Sequence, residues 1–116
     1  MLLELSLEDG TMKILDILPR ENTRLYGALV KKQADIRKKG MGTFSRVGRK
    51  KRDAAKWKHL RYKGTILIER ALSETVTAEI SSPTPEDERR MLSSFLGFVD
   101  RHCGDQIMAI TIKYRS

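Results

Sequence analysis

The stretch TPEDERRMLSSFLGFVDRHCGDQIMAITIKY, residues 84–114, decides the fold, because it predicts a helix followed at once by a strand. Thr84 is a good N-cap, and the acids of the first turn favour the positive end of the helix dipole. Apolar residues then recur at helical spacing as far as Cys103, and Gly104 is a natural C-cap. Residues 106–114 alternate as a strand that begins apolar on both faces, which is typical of an interior strand.

At the other end of the chain, residues 2–18 predict a β-hairpin. Leucines alternate with polar residues on the way to Asp9 and Gly10, a pair that favours the two-residue type I′ turn. With that turn, leucines of the first strand lie opposite Met12 and Ile14, so apolar side chains face one another. This register predicts that the first two strands are neighbours in the sheet.

Another helix is predicted over residues 22–39, with Asn22 as its N-cap and Gly40 just beyond its C-terminus. Its apolar residues recur at helical spacing and form one stripe, which consists of Leu25, Tyr26, Leu29, Val30 and Ile36. A second hairpin is predicted over residues 60–82, where two β-branched and apolar runs are joined by a polar turn.

The predicted order is β-β-α-loop-β-β-α-β in a single domain, residues 1–116. We expect an α+β fold, ββαββαβ, in which two helices pack on one face of a mainly antiparallel five-stranded sheet, a ferredoxin-like variant. After the first helix, residues 40–53 show no apolar periodicity and predict a long, mobile, solvent-exposed loop in a basic segment, residues 40–59. At the end of this loop, residues 53–57 suggest a short helical turn.

Composition limits the setting of the protein. Cys103 is the only cysteine, so neither an intramolecular disulfide nor a four-cysteine zinc site is available within one chain, and a reducing compartment is expected. The N-terminus lacks the basic region of a signal peptide, and no apolar run approaches the roughly 20 residues of a membrane helix. We therefore expect a soluble, cytoplasmic protein that does not contact a membrane.

The positive charge is concentrated in one window. Residues 37–63 contain twelve of the 23 lysines and arginines and a single acid, Asp53, so the window carries +11 while the whole chain carries +8. The remaining residues carry a net −3 and form an ordinary, slightly acidic domain. Dense positive charge with aromatic side chains among the cations is typical of a polyanion-binding surface.

The predicted binding site follows this basic window. Lysines and arginines would contact phosphates, while Trp57, Tyr62 and Phe44 could stack on unpaired bases. The alternative is that Trp57 and Tyr62 anchor the segment to the core while the cations are only solvated. The predicted nucleic-acid-binding residues are Arg46, Arg49, Lys50, Lys51, Arg52, Lys56, Trp57, Lys58, Arg61, Tyr62 and Lys63.

No set of residues forms a catalytic, cofactor-binding or metal-binding pattern. Adjacent helical side chains diverge, so His102 and Cys103 are poorly placed to share a proton, and Cys103 continues an apolar stripe. Two histidines and one cysteine, far apart in sequence, make a weak metal set. The strands predicted within residues 60–82 carry no aromatic residue, so base stacking on the sheet, as in an RNA-recognition motif, is not expected.

The sequence therefore predicts a small non-catalytic protein, with no cofactor and no metal, that binds RNA or DNA through a basic loop. The alternative is an accessory or scaffold protein whose basic surface binds an acidic protein partner. Such a scaffold could form a homo-oligomer, for example a homodimer.

Overall fold

The computed structural model describes residues 11–49 and 51–115, and of Arg115 it describes only the main chain. The chain forms a mixed α+β structure. In chain order, its elements are β1 (Thr11–Pro19), α1 (Leu25–Lys38), β2 (Phe44–Val47), β3 (Ala54–His59), β4 (Thr65–Arg70), β5 (Val76–Ser82), α2 (Pro85–Cys103), a 3₁₀ turn (Gly104–Gln106) and β6 (Ile107–Arg115).

The strands form one antiparallel sheet in the order β2-β3-β4-β5-β1-β6, and α1 and α2 pack on the sheet and on each other. The predicted architecture of two helices on an antiparallel sheet is confirmed. The described sheet has six strands where five were predicted, and the first predicted strand lies outside the described residues. β5 lies between β4 and β1, as in a split β-α-β unit, and the hairpin of β2 and β3 is inserted after α1.

β1 lies inside the sheet and is bonded along both edges. Met12 to Ile17 pair with β5 on one side and with β6 on the other. The strand that the alternating leucines predicted opposite Met12 and Ile14 lies outside the described residues. The chain returns through α2 and places β6 beside β1.

Two strands occupy the basic segment that was predicted to be a loop with a short helical turn. β2 pairs antiparallel with β3, and Phe44 lies opposite His59. In β3, Trp57 and His59 are buried while the lysines beside them are exposed, which is the alternation of a half-buried strand. Because Lys56 and Lys58 are charged, apolar periodicity alone does not reveal β3 in the sequence. The irregular backbone is reduced to the connections before β2 and between β2 and β3.

Both helices lie where the sequence predicts them, with a correction at one end. α2 follows Thr84, whose hydroxyl accepts a hydrogen bond from the Asp87 N–H at 3.2 Å, so the predicted N-cap is confirmed. α1 begins at Leu25, and its N-cap position falls on Arg24 instead of Asn22. Asn22 adopts a φ of 62° in the preceding turn, a left-handed conformation that asparagine tolerates better than most residues.

An aromatic cluster joins the hairpin to the helix layer. The ring of Trp57 lies 5.6 Å from that of Phe44 and 5.5 Å from that of Phe98, and Phe95 packs against both Phe44 and Trp57. All four side chains are buried. Such contacts add about 0.5–1.5 kcal/mol per pair beyond the area that the rings bury. The cluster therefore holds β2 and β3 against α2.

β6 is the last strand of the described sheet, although it was predicted to be an interior strand. Its apolar residues on the helix side, Ile110 and Ile112, are only half-buried and pack at the margin of the core. The apolar start of this strand therefore accompanies a position where one edge is bonded to β1 and the other lies at the limit of the described sheet.

The aromatic cluster predicts a large effect of truncating its central residue. We expect Trp57→Ala to lower the free energy of unfolding by about 3–5 kcal/mol, because it leaves a cavity between β3 and α2. Lys56→Ala, one residue away on the exposed side of the strand, should change it by less than about 0.5 kcal/mol. Urea unfolding followed by circular dichroism measures both. Equal effects would contradict the register of β3.

Candidate nucleic-acid interface

The basic residues of β3 project from the face of the sheet opposite the helices, here called the open face. Because Trp57 points into the core, Lys56 and Lys58 on either side of it point away from the core. Lys56 lies between Val47 of β2 and Leu67 of β4. The side chains of Lys56 and Lys58 are about 6–7 Å apart along the strand, so these two lysines can contact neighbouring phosphates of an extended nucleic acid.

The connection between β2 and β3 adds further cations beside Lys56. Arg49, Lys51 and Arg52 are exposed, and Lys50 lies outside the described residues. A groove of about 310 Å³ runs between this connection and the open face. Its lining combines cations with small and apolar side chains, and consists of Val47, Arg49, Lys51, Ala54, Ala55, Lys56 and Leu67. The residues from 44 to 59 are here called the basic hairpin.

Asp53, the single acid of the basic window, is hydrogen-bonded to Arg70 of β4. Asp53 Oδ1 accepts hydrogen bonds from Arg70 Nε at 3.0 Å and from Arg70 Nη2 at 2.5 Å. Arg70 also donates to Glu74 at 2.7 Å, and both acids help to raise its pKa. Within residues 11–49 and 51–115, the side chains of Arg49, Lys51 and Lys56 form no ion pair. Their charge is therefore not neutralised by this part of the chain.

Arg61 and Lys63 lie at the opposite end of β3, in a turn that is anchored to α2 and β5. The Lys63 N–H donates to Asp87 Oδ2 at 3.2 Å, and the Ser82 hydroxyl donates to the Lys63 carbonyl at 2.7 Å. Gly64 is required there, because its φ is +145° and an added Cβ would lie 2.6 Å from the Met91 sulfur. These contacts hold two exposed cations at a defined place, apart from the groove.

The aromatic residues of the basic window are occupied by the protein itself. Trp57 is fully buried and Phe44 is 2% exposed, so neither ring has a face available for a base. Tyr62 is half-buried, with its ring 4.6 Å from that of His59 and with the guanidinium of Arg90 5.6 Å away. The packing thus matches the alternative interpretation, in which aromatic residues anchor the segment to the core.

Arg46 is separated from the other predicted site residues. It lies opposite Trp57 on β2, so it belongs to the helix side of the sheet and is exposed at its edge. Sequence reasoning also missed Val47 and Leu67, the apolar residues of the groove. The alternation around Trp57 could have revealed the open face, whereas the approach of β4 to β3 is a tertiary contact that the sequence does not display.

His59 and Ser94 are close enough to suggest a base and a nucleophile, but their hydrogen bonds assign them another role. His59 Nδ1 accepts the N–H groups of Arg61 at 2.9 Å and of Tyr62 at 3.3 Å. A neutral imidazole that accepts at Nδ1 carries its proton on Nε2, so it donates to Ser94 Oγ at 3.2 Å and cannot take a proton from it. His59 therefore orders the turn that follows β3.

Burial explains the protonation of this histidine and of the cysteine. Desolvation lowers the pKa of His59, and the charge of Arg61 lowers it further. Desolvation likewise raises the pKa of the Cys103 thiol, which is 1% exposed, so Cys103 is a small buried residue as predicted. In the described part of the chain, no group of three or more histidine, cysteine, aspartate or glutamate residues is placed to hold a metal ion.

Comparison of the sequence with protein-family models and with curated proteins finds no match. Neither helix of the described residues is long and apolar enough to cross a membrane.

Trp57 is the only tryptophan, so its fluorescence reports on the aromatic cluster alone. We expect iodide to quench the emission of the native protein several-fold less than that of the urea-unfolded protein, because the indole is shielded. Single-stranded RNA should leave the emission nearly unchanged even when anisotropy of a labelled RNA shows binding. Strong quenching on binding would instead indicate that a base stacks on Trp57.

The neutral state of His59 predicts a dependence of stability on pH. Its folded pKa lies below the unfolded value of about 6.5, so its contribution is complete above that pH and is lost as the pH falls. In a His102→Gln background, where His59 is the remaining histidine, urea unfolding at about pH 8 and about pH 5.5 measures this loss. Adding His59→Gln should flatten the dependence. An unchanged pH dependence would show that His59 does not resist protonation.

Proposed function

We propose that the protein binds the phosphate backbone of a nucleic acid along the basic hairpin. The observation that carries this proposal is that Arg49, Lys51 and Lys56 border one groove while the acid beside them, Asp53, is bonded to Arg70. Exposed cations that form no ion pair attract a polyanion and release its counterions on binding. This function requires neither a cofactor nor a catalytic residue.

The groove suggests how the ligand would be held. Arginine and lysine side chains contact successive phosphates, with Lys58 extending the row past Lys56 along β3. Val47 is 39% exposed and, with Leu67, supplies an apolar floor for sugars or base edges. Phosphate contacts carry no sequence information, so we propose binding without sequence specificity and without stacking by Trp57.

Acidic residues on the open face limit the path of the ligand. Glu69 of β4 lies beside Ala54, and Glu79 of β5 lies beside Leu67. Both point to the open face at the middle of the sheet, where they repel phosphates. The proposed ligand therefore follows the basic hairpin at the edge of the sheet and does not cross the sheet.

A charge-matched pair of variants tests the site. Lys56→Gln/Lys58→Gln should weaken binding of single-stranded RNA or DNA about tenfold and reduce the salt slope by about 2, since two phosphate contacts are lost. Lys31→Gln/Lys32→Gln, exposed lysines of α1, removes the same charge from the helix side and should change affinity much less. Fluorescence anisotropy from about 50 to 200 mM salt measures both.

Equal losses in the two double variants would mean that net charge alone drives the binding, and the assignment of the site would be wrong. Duplex DNA is titrated in parallel, which identifies the preferred form of nucleic acid. If the affinity for all three nucleic acids collapses together by about 200 mM salt, the proposal fails and the hypothesis of an acidic protein partner is favoured.

A further inference from the structure

The two edges of the described sheet are protected very differently. At one edge, β2 is four residues long, carries exposed Arg46, and its Phe44 carbonyl accepts a hydrogen bond from the Gln33 side chain of α1 at 3.0 Å. Short length, charge and a covering helix are the usual means of preventing strand addition. At the other edge, β6 is nine residues long, and no described strand pairs with its outer side.

β6 also presents apolar side chains beyond the helix layer. On the helix side lie Ile107, Ile110, Ile112 and Tyr114, which pair with Pro19, Ile17, Leu15 and Lys13 of β1. Met108 is the extra residue where the register between β1 and β6 shifts. Met108 is 56% exposed and Tyr114 is 73% exposed. The only charged side chain described on this strand, that of Lys113, lies on the open face and bonds to Asp16 at 2.8 Å. β6 contains no proline, and the charge of its described Lys113 is paired with Asp16.

We propose that β6 pairs antiparallel with β6 of a second copy of the chain, about a two-fold axis at Thr111. Each chain then adds its six described strands to one continuous sheet. Thr111 is the middle residue of Ile107–Arg115, so this is the register that pairs the whole strand with its copy. The main-chain groups of the outer edge gain hydrogen-bond partners, and the sheet no longer ends at β6.

The pattern of side chains favours a second copy as the occupant, because it is self-complementary. In this register Ile110 lies opposite Ile112 of the second copy, so the middle of the helix side pairs apolar with apolar. On the open face, Thr111 meets Thr111 and Lys113 meets Ala109, so no described like charges oppose each other. A two-fold interface demands that one surface match itself in this way.

The inference does not depend on the proposed function, because it concerns the edge of the sheet farthest from the basic hairpin. If nucleic-acid binding also holds, the dimer carries two basic hairpins on one sheet. Their β3 strands lie nine strand spacings apart, about 40 Å. A nucleic acid long enough to reach both would bind more tightly than a short one.

A cysteine at the two-fold axis tests both the dimer and its register. Directly opposed residues of antiparallel strands have Cβ atoms about 5 Å apart, so Thr111→Cys should form a covalent dimer under mild oxidation or with a short thiol cross-linker. Ser73→Cys, in the exposed turn between β4 and β5, should not. The native Cys103 is buried, so we expect it not to contribute to the cross-linking. Cross-linking of both variants alike would indicate random collision and would count against the proposal.

Sedimentation equilibrium on the full chain provides the second test. Ala109→Lys places a like charge opposite Lys113 of the second copy in the proposed register and should raise the dimer dissociation constant about tenfold or more. Ala109→Glu places an opposite charge there and should preserve the dimer, while Leu72→Lys at a fully exposed turn should have no effect. Urea unfolding verifies that each variant folds.

Three outcomes would overturn the proposal. The first is a monomer mass for the unmodified chain up to about 1 mM. The second is a dimer that the like-charge variant leaves intact, which would place the contact on another surface. The third is a monomer in which the amides on the outer edge of β6 resist hydrogen exchange, because another segment of the same chain would then cover that edge.

Discussion

The packing of Trp57 among Phe44, Phe95 and Phe98 is the contact on which the rest of the structure depends. It forces one side of β3 into the core, and the pleat of the strand then sends Lys56 and Lys58 to the other side. Without this cluster, a segment so rich in charge would have little reason to be ordered. Trp57 and Phe44, two aromatic residues of the basic window, are thus buried in the core, and the packing of Trp57 fixes the direction in which Lys56 and Lys58 point.

The charges follow the layers of the fold. Lysines and arginines of the basic hairpin lie at one edge of the sheet, and Glu69 and Glu79 lie in the middle of the open face. Asp53 is paired with Arg70. The field of the protein is therefore polarised across the sheet, although the sequence suggests only a basic segment followed by a mildly acidic domain. A polarised face restricts where a polyanion can lie, and a uniformly basic one does not.

The position of β1 accounts for both edges of the sheet. Because β5 and β6 occupy its two sides, the inserted hairpin extends the sheet in one direction and β6 is the last described strand in the other. The inserted edge is short, charged and covered by α1, whereas the final edge is long and apolar. Proteins seldom leave such an edge open, since it is a template for another strand. The two edges of the described sheet thus differ in length, charge and covering.

The sequence by itself determined both helices, the strands β1, β4, β5 and β6, and the location of the positive charge, because these depend on local periodicity, capping and composition. Only the tertiary structure decided that Trp57 and His59 turn inward, that β6 is the last strand of the described sheet, and that Glu88 of α2 is buried against Lys13, 75 residues away. Each of these is a contact between distant segments, and local pattern carries no information about it. β3 forms because Trp57 and His59 pack on the core, and a half-buried strand can carry charged residues on its outer side. Its highly charged composition therefore does not identify it as a strand.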